Sequence, residues 1–235
     1  MIPDSIKIIS FDADDTLWVN EPYYKEAEME FIRLISAYGV EEDIAAALFK
    51  TEMSNLELYG YGIKAFMLSL VECSIRITGG AVNSTTIAAI IALGKGMLQR
   101  PIELLEDVKT VLGKLARSYR LIVATKGDLL DQQRKMTRSS ISSYFHHIEV
   151  MSDKKEQNYI QLFSHLDIEP CKFLMIGNSL KSDIIPPLTL GAYAIHIPYH
   201  TTWAHEEVDT DPGTDRFFRV ERLVEVLDLV PVPGK

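Results

Sequence analysis

The chain has 235 residues, 47% hydrophobic and 9% aromatic, with 33 acidic side chains against 24 basic ones, a formal net charge of −9. That composition is a globular protein's with enough apolar material for a core; it excludes a disordered tail and argues against a broad surface for nucleic-acid polymers or anionic membranes, though not against a local basic pocket. Cys73 and Cys171 make neither a disulfide framework nor a C-x-x-C metal cluster, and no signal-like or 18-residue uncharged apolar run is present, so a cytoplasmic protein with no membrane span is expected.

The first apolar, β-branched run, residues 7–11, reads as a buried strand and leads directly into Asp12-Ala13-Asp14-Asp15-Thr16-Leu17. The next strand-like run comes only at 121–124, too far along for an ordinary crossover. Between them, residues 26–37, 43–53, 63–77 and 86–98 carry apolar side chains at helical spacing, punctuated by glycines at Gly39, Gly60, Gly62, Gly79 and Gly80. A helical insert over 18–99 is the economical reading, with Arg100-Pro101 closing it and a helix over 103–117 returning the chain to the sheet. Further strands are expected at 147–151, 173–176 and 193–197, alternating with helices at 129–139 and 157–166, and residues 209–215 as a solvated loop. This alternation predicts an α/β fold with a parallel sheet formed by 1–17 and 100–235.

Active groups in open parallel sheets gather at the carboxyl ends of the strands, and the chemistry-bearing residues fall there. Asp12 and Asp14 leave the first strand two residues apart, a spacing that lets one act as nucleophile and the other as general acid and base. Thr125 follows the second run, where its hydroxyl and the Lys126 N–H are suited to phosphate oxygens. Lys154 follows the third, with Lys155 as the alternative, to neutralise nucleophile and phosphate. After the fourth, Gly177-Asn178-Ser179-Leu180-Lys181-Ser182-Asp183 combines a tight turn with oxygen ligands suited to magnesium, Asp183 foremost. Taken alone, Asp12, Thr125 and Asp183 are also what a turn or helix cap uses, and Lys154 is what a solvated surface uses.

Together they resemble the haloacid dehalogenase superfamily, whose motifs are D-x-D after the first strand, Thr or Ser after the second, a lysine before the next helix and an acidic metal motif after the fourth. The resemblance runs from Asp12 through Asp183 and implies a Rossmann-like parallel sheet core, with the helical insert as a type-1 cap domain. It implies that Asp12 takes a phosphoryl group from a small phosphate ester while Asp14 protonates the leaving alkoxide. It implies Mg2+ held by Asp12, the Asp14 carbonyl and Asp183, with Asn178, where many members have an acid, ordering a metal-bound water. Thr125, Lys126 and Lys154 would hold the phosphate. Asp14 argues for phosphate esters over carbon–halogen or phosphonate cleavage; a phosphosugar mutase and a silent binding protein are the alternatives. Specificity is expected outside the motifs, at Trp18, Asn20, Tyr23, Tyr24, residues 59–62 and the loop 198–205. Its His200 and His205 lack a third partner for a metal, and Lys181 is expected to pair with a carboxylate.

Overall fold

The computed structural model describes residues 1–208, 210 and 212–231. Asp209 and Asp211, part of the expected solvated loop, lie outside the described residues.

One six-stranded, wholly parallel sheet has the order β3-β2-β1-β4-β5-β6. Its strands are β1 (Ile8–Phe11), β2 (Arg120–Lys126), β3 (Ile148–Met151), β4 (Phe173–Gly177), β5 (Tyr193–His196) and β6 (Phe217–Arg219). Side chains alternate across it. Ile9, Phe11, Leu121, Val123, Leu174 and Ile176 pack on one face with Val111, Leu112 and Leu115 of α5 (Val108–Leu115). Ile8, Ile122, Ala124, Phe173 and Met175 pack on the other with Tyr159, Leu162 and Phe163 of α7 (Glu156–Leu166). Burial on both faces is why these strands read as continuous apolar runs. Strand order reverses between β1 and β4, so a crevice opens beyond their carboxyl ends.

The chain divides into two compact units. One comprises residues 1–21, 102–126 and 132–235 and contains the sheet; the other comprises 22–101 and 127–131. The second is built on α1 (Glu21–Ser36), α2 (Ile44–Tyr59), α3 (Ile63–Ile77) and α4 (Ser84–Gln99). Phe31, Ile35, Leu48, Leu70, Cys73 and Ile90 form its core. Asp43 caps α2 by accepting from the Ala45 and Ala46 N–H groups, and Asn83 caps α4 through Thr86. Segment 127–131 is tied into this unit by Asp128, whose carboxylate takes Lys64 Nζ at 2.9 Å.

The remaining helices are α6 (Leu129–Arg138), α8 (Ile185–Thr189) and α9 (Val226–Leu229). Several elements differ from expectation, among them α2, which continues past 53 to Tyr59. α1 starts five residues before 26, at Glu21, because Asp15 accepts from the Asn20 and Glu21 N–H groups that open it. The helix expected over 103–117 is confined to Val108–Leu115, preceded by Asp107 at φ 63°. β6 was not anticipated: Phe217-Phe218-Arg219 is too short to display a period. Among the described residues no helix is long and apolar enough to cross a membrane.

Candidate active site

Three charged side chains converge where β1 and β4 end. The Asp12 N–H continues the sheet by donating to the Ile176 carbonyl at 2.8 Å, which leaves its side chain at the strand's exit, 7% exposed. Asp183 lies in a π-helical turn, Leu180–Ile184, after β4, with its carboxylate accepting from the Ser179 N–H at 3.0 Å. The carboxylate folds so closely over Gly177 that a Cβ there would fall 2.3 Å from Asp183 Oδ2, so glycine is required by space. Lys154, delivered by the chain leaving β3 and 2% exposed, spans both acids, its Nζ 2.5 Å from Asp12 Oδ1 and 2.6 Å from Asp183 Oδ1. Lys155, the other lysine considered, has a side chain 81% exposed and pairs with Asp153.

The electrostatics follow from two buried carboxylates sharing one ammonium. Burial raises the Asp12 carboxyl, Lys154 opposes and Asp183 adds to the rise, leaving it at about 7. Burial alone would lower Lys154, but Asp12 and Asp183 outweigh it and hold the ammonium charged well above the ordinary lysine range. One further positive charge would complete the balance, and hard oxygen donors suit magnesium, which is commonly held by one or two carboxylates with substrate and water doing the rest. Among the described residues no three His, Cys, Asp or Glu side chains form a metal cage. The fit therefore rests on Asp12 and Asp183 with a backbone oxygen such as that of Asp14.

Asp14 is held differently. Its carboxylate takes Trp18 Nε1 at 2.6 Å, Gln132 Nε2 at 2.8 Å and Lys135 Nζ at 2.9 Å. Burial raises its pKa, yet Lys135 and these hydrogen bonds prevail and keep it below the ordinary carboxylate value. Next to it, Asp15 takes φ 61°, a region Asp tolerates, and the turn redirects the chain. Lys135 also donates to Asn20 Oδ1 at 2.9 Å. Trp18, expected at a specificity position, is wholly buried and donates to Asp14.

Thr125 sits inside β2, not after it, paired with Val150 and 1% exposed. Lys126 ends the strand and turns its side chain to Glu206 at 2.6 Å. Asn178 Oδ1 accepts from Thr16 Oγ1 at 3.2 Å, and its carbonyl meets His196 Nε2 at 2.9 Å. Lys181, expected to pair with a carboxylate, donates among the described residues to the His205 carbonyl at 2.7 Å, and the Glu206 carboxylate takes Lys126. Tyr24 packs on Phe66 within the helical unit, Arg100 lies 3.8 Å over the Tyr23 ring, and Tyr59 donates to Glu72. Sequence reasoning did not find Gln132, Lys135 or Glu206. Gln132 and Lys135 lie on the exposed-looking polar face of α6, and Glu206 in a loop without periodicity.

The family model for haloacid dehalogenase-like hydrolases matches residues 6–186. N-acylneuraminate-9-phosphatase of Rattus norvegicus is 28% identical over 200 residues, 80% of this chain and 81% of that protein. Glyceraldehyde 3-phosphate phosphatase of Methanopyrus kandleri is 22% identical over 231 residues, 96% of this chain and 97% of that protein. The crystal structure of a haloacid dehalogenase-like family hydrolase from Xanthomonas campestris superposes with a TM-score of 0.84 at 35% identity, covering 94% of this chain and 88% of that one.

Proposed function

The chain belongs to the haloacid dehalogenase-like hydrolase family, and on that footing we propose that it is a magnesium-dependent phosphatase acting on a small phosphate monoester through an aspartyl-phosphate on Asp12. The observation that carries this reading is the Lys154 ammonium spanning the Asp12 and Asp183 carboxylates at the strand-order reversal. Asp12 attacks phosphorus in line. Lys154 opposes protonation of the buried nucleophile and, with the Thr125 hydroxyl and the Lys126 N–H, hydrogen-bonds the phosphoryl oxygens as charge shifts onto them. Asp14 protonates the leaving alkoxide and then accepts a proton from the water that hydrolyses the aspartyl-phosphate. With Trp18, Gln132 and Lys135 around it Asp14 is ionised, the form suited to the second step; the first requires it to have taken up a proton. Asp12, the Asp14 carbonyl and Asp183 would hold a magnesium ion, and Asn178 would order a water beside it. When bound, the ion supplies the positive charge that lets a carboxylate approach an anionic phosphate.

The helical unit inserted between β1 and β2 is proposed as the cap that selects the substrate. Carbohydrate phosphates are the first candidates for that substrate, a reading supported by the names of the relatives, N-acylneuraminate-9-phosphatase and glyceraldehyde 3-phosphate phosphatase. The test is phosphate release from a panel of sugar phosphates, nucleotides and p-nitrophenyl phosphate, with and without Mg2+, in the native protein and Asp12→Asn. Magnesium-dependent release that disappears in Asp12→Asn supports the reading. Release that persists in the variant overturns it.

A further inference from the structure

Outside the residues given roles above, the carboxylate of Glu206 accepts three side-chain hydrogen bonds. It stands in the 3-10 turn Ala204–Glu206, in the loop after β5. Its Oε1 accepts from Lys126 Nζ at 2.6 Å, and its Oε2 from Ser179 Oγ and Ser182 Oγ, each at 2.5 Å. Lys126 Nζ also donates to Ser182 Oγ at 2.9 Å. The ion pair is largely buried, with side-chain exposures of 14% for Lys126 and 10% for Glu206. Burial pushes the Glu206 carboxyl up, but Lys126 and the two hydroxyls outweigh it and bring it down to about 2. Alongside, Lys181 Nζ fastens the same loop through the His205 carbonyl at 2.7 Å.

These bonds join three segments distant in sequence. Lys126 immediately follows Thr125 at the end of β2. Ser179 and Ser182 belong to the turn that carries Asp183, and the Ser179 hydroxyl has a fixed orientation because it accepts from the Ser182 N–H at 3.1 Å while donating to Glu206. The same residue's N–H holds Asp183 Oδ2 at 3.0 Å. A single carboxylate thus sets the separation between the phosphate-binding strand end and the turn bearing the acidic ligand.

We propose that Glu206 is a positioning residue of the phosphatase: by gathering Lys126, Ser179 and Ser182 it holds Asp183 in register with Thr125 and keeps the Lys126 ammonium away from the phosphate. The proposal rests on the roles given to Asp12, Thr125 and Asp183 above. Loss of the Glu206 charge has two separable consequences. The Asp183 turn loosens against β2, and misplacement on the order of 1 Å at such a site reduces turnover about a hundredfold. Lys126, released from its carboxylate beside Thr125, offers a cation to whatever phosphate is bound, so phosphate binds more tightly as turnover falls. A purely structural role would weaken both.

The experiment measures kcat, KM and inhibition by inorganic phosphate, with p-nitrophenyl phosphate as substrate, for native protein, Glu206→Gln, Lys126→Met and the double variant. Glu206→Gln is expected to lower kcat about tenfold to a hundredfold while phosphate inhibits at several-fold lower concentration. Adding Lys126→Met should return phosphate inhibition to the native value without restoring kcat. Native kcat in Glu206→Gln, or phosphate inhibition weakened together with kcat, overturns the proposal. Should Glu206→Gln fail to fold, Ser182→Ala removes one donor to Glu206 and one acceptor from Lys126, and the same two signs decide. Asp12→Asn run in parallel separates the two readings: persistent turnover there defeats the proposed site, whereas inactive Asp12→Asn with native-like Glu206→Gln defeats only the role of Glu206.

Discussion

Lys154 is an almost wholly buried lysine, and its neighbours explain why it can be. Two carboxylates within 2.6 Å make its positive charge the cheapest state available in that crevice. Replacing it with methionine leaves two buried acids facing each other. Lys154→Met is expected to lose about 3 kcal/mol of unfolding free energy in urea titrations without divalent cations, and added Mg2+ should recover part of that loss. Asp14→Asn keeps the shape of its site while removing the proton acceptor, so kcat should fall roughly a hundredfold to ten-thousandfold with KM little changed, measured by steady-state phosphate release. Asp12, Lys154 and Asp183 were readable in the sequence because each follows closely on the end of a strand. The partners of Asp14 were not. Gln132 and Lys135 lie 118 and 121 residues away, and nothing local marks a polar helix face as inward-turned.

Gly177 and Asp43 show how single positions shape whole elements. The turn after β4 exists in its present form because position 177 has no side chain; Gly177→Ala would drive a methyl into the Asp183 carboxylate, at 2.3 Å. The expected outcome is a loss of about 1–3 kcal/mol of stability and of most phosphate release, since Asp183 must move. Asp43→Ala removes the acceptor for two N–H groups at the start of α2 and should lower stability by about 1 kcal/mol in denaturant titrations, leaving kcat unchanged. Strands β1, β2 and β4 were readable since burial on both faces leaves an unbroken apolar signature. β6 was not, because three residues pairing at an edge carry no pattern, and its parallel pairing with β5 is a tertiary fact. α1 started early for a similar reason, as the side chain that stabilises its first turn, Asp15, belongs to the loop that leaves β1.

Across the molecule, carboxyls that link stability to pH lie in both units, Asp12 in the sheet unit and Glu52 in the helical one. The strand-order reversal brings Asp12 and Asp183 together in the sheet unit. The helical unit carries Glu52, whose carboxyl is raised to about 7 by burial and by Glu28, with Lys25 opposing. A carboxyl raised above its unfolded value of 4.5 adds stability below that pH, and the gain is lost as pH climbs through 7. Glu52→Gln should therefore unfold at higher urea than native protein at pH 8, by on the order of 1 kcal/mol, with the difference gone near pH 4.5. The existence of a helical insert was readable from its length and periodicity; the inclusion of 127–131 in that unit was not, because it depends on the Lys64–Asp128 pair.

The central claim is that Asp12 itself carries the phosphoryl group. The most direct measurement is a rapid acid quench of native protein and Asp12→Asn turning over 32P-labelled p-nitrophenyl phosphate with Mg2+, followed by peptide mapping. Label on the peptide containing Asp12, released by hydroxylamine and absent from the variant, is the predicted result. Turnover with no label on that peptide, or an Asp12→Asn variant that hydrolyses the ester at the native rate, would contradict it.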